Sequence, residues 1–98
     1  MDLKRISQEI DGLVRSQGWY GKNGPKPQTP KNLAISLSLE ASELLEHFQW
    51  GEEADPVAVG EELADIVLYA AQLANVMNLD LGESVLLKIE KNRERQWL

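Results

Sequence analysis

Apolar side chains recur at intervals of three and four residues along most of this chain, and no segment shows the two-residue alternation of a strand. That rhythm restricts the fold to packed helices. Leu3, Ile6, Ile10, Leu13 and Val14 predict a first helix from about Asp2 to Gln17, ended by Gly18. Thr29-Pro30 and Asp55-Pro56 each join a capping side chain to a proline at the first helical position, and predict helices running to about Gln49 and Met77. Asp80, with Glu83 three residues on, resembles a capping box and opens a fourth helix ending near Arg95. The expected class is therefore all-α, a four-helix bundle with short connections. The exception is the segment GWYGKNGPKPQTP, a glycine- and proline-rich loop that carries Trp19 and Tyr20 and is of a length often given over to function.

At 98 residues the chain is expected to form a single domain, 1–98, with a thin core, since a chain of this size buries only about 60 to 70 % of its unfolded surface. Its net charge of -6 argues against binding polymeric nucleic acid, which draws on clustered Lys and Arg to neutralise phosphates. A phosphorylated small molecule would need a divalent cation as intermediary. Cysteine is absent and histidine occurs once, which removes disulfides and thiol nucleophiles and disfavours a zinc site. No run approaches the roughly 18 apolar residues of a membrane span, and MDLKRISQEI alternates charge with apolar groups where a signal peptide would not. No membrane partner and a cytoplasmic location are the expectations.

The chemistry is carried by acids. Helical geometry places Ser36, Glu40, Glu43 and His47 on one narrow face of the second helix, beside a stripe of Leu33, Leu37, Ala41, Leu44 and Phe48. It places Glu62, Asp65 and Tyr69 on one face of the third, beside Leu63, Ile66, Ala70, Leu73 and Met77. Glu46 and Glu61 rotate outward. If the two stripes pack antiparallel, as the short turn between them requires, Glu40 and Glu43 meet Glu62 and Asp65. Four carboxylates at a partly buried seam cannot all stay ionised uncompensated, so a cation or protons must sit among them. An oxygen-only donor set favours a hard cation such as magnesium. Acids at helical spacing also commonly form a plain solvated face, and that alternative stands beside the metal site at this point.

EASE at Glu40 to Glu43 and ELAD at Glu62 to Asp65, followed by KIEKNRER, resemble the paired acidic motifs of the MazG-like, all-α nucleoside triphosphate pyrophosphohydrolases. The resemblance runs from Thr29 onward and implies a four-helix MazG-like bundle completed by oligomerisation, as a homodimer or homotetramer. It implies cleavage of a nucleoside triphosphate to monophosphate and pyrophosphate, in nucleotide-pool housecleaning. Carried over by motif, Glu40, Glu43, Glu62 and Asp65 would hold Mg2+, with Mn2+ able to substitute, and Glu43 would also orient the attacking water.

PKN at Pro30 to Asn32 and FQW at Phe48 to Trp50 are similar to the deoxycytidine triphosphate pyrophosphatase branch, in which aromatics stack on the base. The resemblance implies substrate contacts by Asn32, by Trp50 and Tyr69 as stacking rings, and by Lys88 and Asn92 on the phosphates. The chain departs from that branch at Gln28, where the branch carries histidine. Basic residues in a last helical turn also complement the helix dipole, and Arg93 and Arg95 fit that role better. Two alternatives remain at this level: a carboxylate di-metal bundle, which would use two Glu-x-x-His pairs where this chain has one histidine, and a non-catalytic helical adaptor whose acids are merely solvated.

Overall fold

The computed structural model describes residues 2–16 and 28–95. The expectations for Gln17, Gly18, Trp19, Tyr20 and the rest of the first loop up to Lys26 and Pro27 lie outside the described residues. Four helices follow in order, α1 (Leu3–Ser16), α2 (Pro30–Glu46), α3 (Pro56–Val76) and α4 (Leu81–Glu94), with no strand among the described residues.

Each start is fixed by a side chain that accepts a backbone N–H otherwise left without a helical partner. Thr29 Oγ1 accepts from the Asn32 amide at 3.1 Å, Asp55 Oδ1 from Val57 at 3.2 Å, and Asp80 Oδ1 from Glu83 at 3.0 Å. Asp2 Oδ1 does the same for Arg5 at 2.9 Å. The ends differ in kind. α3 closes with Asn78 in the left-handed conformation, φ 57°, while the Leu79 amide reaches back to the Ala74 carbonyl at 2.8 Å. This is the paired closure that favours Asn or Gly at its turning residue. α2 stops at Glu46, three residues before the expected Gln49, because the chain tightens into short turns: Phe48 N–H to Leu45 O at 3.0 Å, then Gln49 N–H to Glu46 O at 3.2 Å. Gly51, at φ 150°, then turns the chain toward Asp55.

α3 is the central element. It packs against α2 on one side and α1 on another, while α4 rests on α1 and touches α3. Ile10 and Val14 of α1 meet Ala71 of α3 in the core, with Leu68 and Leu81 packed around them. Asn75 Nδ2 donates to the Ser7 carbonyl at 3.0 Å and ties α3 to α1. Leu33 buries the start of α2.

The apolar stripes expected to form the seam between α2 and α3 are only partly covered. Leu63, Met77 and Phe48 are exposed, as is Ala41, and Leu13 of α1 joins them. The reason is the central position of α3: its buried positions include Ala71, packed toward α1, and Glu62, turned toward α2. The stripe between these two faces is left half open. α4 contains no buried residue at all. The radius of gyration, 15.6 Å against about 13 Å for a compact 100-residue domain, reflects this open arrangement. Among the described residues, no helix is long and apolar enough to cross a membrane.

Candidate metal centre

Where α2 passes α3, Glu40, Glu62 and Asp65 converge, each offering a carboxylate oxygen, with the three atoms all within 4.8 Å of one another. Position on the helices accounts for this. Glu62 and Asp65 lie three residues apart on one face of α3, and Glu40 sits about mid-length in α2, opposite them. The three differ in solvation: Glu62 is only 9 % exposed, Glu40 is half-buried and Asp65 is open to solvent.

Glu40 and Glu62 each have one buried oxygen, Oε2, that meets no hydrogen-bond donor. A buried acceptor without a donor is costly, and two of them side by side are costlier still. The electrostatics register this directly. Glu40 is pushed above its ordinary 4.5, first by a proton shared with the Glu62 carboxyl, then by burial and by the charges of Glu62 and Asp65, with Glu43 pulling the other way. Glu43 is also raised, chiefly by Glu40. Without a cation, the mutual repulsion of the centre makes Glu40 and Glu43 hold their protons more strongly than an isolated carboxyl does. Three oxygen donors at this spacing, two of them with orphaned oxygens, could hold a metal ion, and the all-oxygen set suits a hard one.

Glu43 stands at the rim. It is solvent-exposed and outside the three-carboxylate set, yet close enough to Glu40 and Glu62 for both to act on its proton affinity. Glu46 is exposed one turn further out. Tyr69 is half-buried on α3, one turn past Asp65, on the same face. Trp50 lies in the turn after α2 with 92 % of its surface exposed. Asn32 is half-buried in the first turn of α2. Lys88, exposed, and Asn92, half-buried, lie on α4, which makes no packing contact with α2. The structure therefore gathers the acids and Tyr69 at the α2–α3 seam, and leaves Lys88 and Asn92 off it.

One contact at the centre was absent from the motif reading. His47 Nε2 lies 3.5 Å from Glu62 Oε1. The signal was available, since His47 shares the face of Glu40 and Glu43, but Glu62 could be named as its partner only once the helix crossing was fixed.

The fold and this centre together define a small helical bundle with a carboxylate cluster between two antiparallel helices. The model of the MazG-like family matches residues 35–97, well over half of the sequence, and the chain belongs to that family. Among curated proteins, dCTP pyrophosphatase 1 of Rattus norvegicus is 37% identical over 76 residues, covering 67% of this chain and 45% of the relative. The Homo sapiens protein of the same name is likewise 37% identical with the same coverage. The chain spans under half the length of these relatives. A crystal structure of a pyrophosphatase from Archaeoglobus fulgidus superposes with a TM-score of 0.70 at 36% identity, covering 90% of this chain and 85% of that one.

Proposed function

We propose that the chain is a magnesium-dependent nucleoside triphosphate pyrophosphohydrolase, cleaving between the α and β phosphates to give a nucleoside monophosphate and pyrophosphate. The observation that carries this reading is the convergence of Glu40, Glu62 and Asp65 within 4.8 Å, with orphaned buried oxygens on two of them. The names of the relatives make deoxycytidine triphosphate the first substrate to test. Cytoplasmic housecleaning of surplus or noncanonical nucleotides is the matching role.

In this reading Glu40, Glu62 and Asp65 hold Mg2+, or Mn2+ in its place, with Glu43 as a fourth ligand from the rim. The ion, when bound, neutralises polyphosphate charge and makes water a better nucleophile. Glu43 orients the attacking water and takes up its proton, a role suited to a carboxylate whose proton affinity its neighbours already raise. Tyr69 and Trp50 offer rings to the base, stacking of a kind worth about 1 to 3 kcal/mol per base in nucleic-acid binders. Asn32 lies on the same helix as Glu40 and contributes a polar contact to the nucleotide.

Lys88 and Asn92 contact phosphate from the α4 of a second copy. Support comes from α4 itself, which lacks buried residues and does not touch α2. An apolar groove of about 530 Å³ between α1 and α3, lined by Ile6, Ile10, Leu63, Ala64, Val67 and Leu68, supports a homodimer or homotetramer.

The test is a screen of nucleoside triphosphates, modified ones included, with pyrophosphate and monophosphate both quantified. Equal amounts of the two, dependent on added magnesium, are expected. Orthophosphate as the primary product overturns the proposed cleavage.

A further inference from the structure

We propose that His47 is a positioning residue for Glu62, fixing which of its two oxygens is presented to a divalent cation. The inference rests on the reading of Glu62 as a metal ligand and deepens it.

His47 is the cap residue at the C-terminus of α2, and its backbone N–H donates to the Leu44 carbonyl at 3.2 Å, so the point from which its ring projects is set by the helix. The ring reaches across to α3 and places Nε2 3.5 Å from Glu62 Oε1. That separation exceeds the roughly 2.7 to 3.2 Å of a settled N–H···O bond. The proposed role is thus to turn a ring N–H dipole toward Oε1 rather than to hold it by a settled bond. Glu62 is 9 % exposed, so little water competes for the carboxylate, and its Oε2 meets no donor. The two oxygens are thereby made unequal. Oε1 faces an imidazole and Oε2 has no donor, so Oε2 is the oxygen that would be presented to a cation.

The residue type fits this task. A neutral imidazole can present an N–H to a carboxylate without adding charge, whereas lysine or arginine would bring a fixed positive charge into competition with the cation. Groups that orient a metal ligand in this way typically matter by about 10- to 100-fold in metal affinity.

The test is Mn2+ binding by metal-stripped protein without nucleotide, followed by the electron paramagnetic resonance of free Mn2+, with circular dichroism as the check on folding. His47→Phe and His47→Leu remove the donor, His47→Gln retains one, and Glu62→Gln removes the ligand charge. Expected are loss of binding in Glu62→Gln, a roughly 10- to 100-fold weakening in both apolar His47 variants, and affinity in His47→Gln closer to wild type. Wild-type affinity in either folded apolar variant, with binding still lost in Glu62→Gln, overturns the role of His47 and leaves the metal centre standing. Failure of the wild-type protein to bind Mn2+ overturns both.

Discussion

Asn75 Nδ2 donates to the carbonyl oxygen of Ser7, 68 positions earlier in the chain, across 3.0 Å. It is a partly buried polar tie between α1 and α3. Asn75→Ala removes it and is expected to cost about 0.5 to 1.5 kcal/mol. Chemical denaturation should show the loss as a lower midpoint at unchanged slope, with Mn2+ affinity unaltered. A weakened metal site would mean that the tie also sets the α2–α3 seam.

The acidic centre makes stability depend on pH in a direction that can be stated. The carboxyls of Glu40 and Glu43 are raised above 4.5 in the folded, metal-free protein. Over the window from about pH 4.5 upward to those raised values, the folded state binds more protons than the unfolded chain. The stability contributed by these protons is complete below the window and lost as pH rises through it. The advantage of wild type over Glu40→Gln in denaturation should therefore shrink with rising pH. Added Mg2+ should restore wild type at neutral pH and leave Glu40→Gln little changed. A difference between the two that is flat with pH would show that the shared proton is not there.

Glu43 and Glu62 should fail differently. Glu62 is buried inside the three-carboxylate cluster and Glu43 is exposed outside it. Glu43→Gln is expected to lose less Mn2+ affinity than Glu62→Gln, its ligand position being at the rim, while losing about 10²- to 10⁴-fold in turnover, the range of a general base. Glu62→Gln should lose metal first and activity as a consequence. Parallel losses of affinity and turnover in the two variants would place Glu43 among the ligands only.

Assembly is testable through the open groove between α1 and α3. Val67→Lys puts a charge among Ile6, Leu63 and Leu68, in a groove whose lining includes Glu9 but none of Glu40, Glu62 and Asp65. Sedimentation should show a smaller species than wild type, with the helical signal largely kept. An unchanged sedimentation coefficient would remove this groove from the interface. Mixing Glu62→Gln with Lys88→Ala protein should then recover activity only if α4 serves the centre of another copy.

What the sequence made legible was local chemistry. Thr29, Asp55 and Asp80 announced helix starts because capping depends on neighbours two or three residues away, and each accepts the amide it should. Glu40, Glu62 and Asp65 could be placed on facing surfaces because helical phase is a local property. The partial exposure of Leu63 and Met77 was not legible, since it depends on where α1 docks on α3. The premature end of α2 depends on hydrogen bonds among Leu45, Glu46, Phe48 and Gln49 that no single residue type signals. Nor could the spacing of His47 and Glu62, 15 positions apart, reveal their contact before the crossing of the two helices was known.

The bareness of α4 has a consequence for folding. A 14-residue helix with no fully buried residue is held in its own chain by its Asp80 cap, by Leu81 against the core and by its contacts with α1 and α3. Isolated helices shorter than about 12 to 15 residues are marginal in water. If α4 serves a second copy, as proposed, its order is coupled to that contact. In the proposed oligomer, dilution should then make its amides the first to exchange with solvent deuterium, so that the helix would report concentration through its backbone.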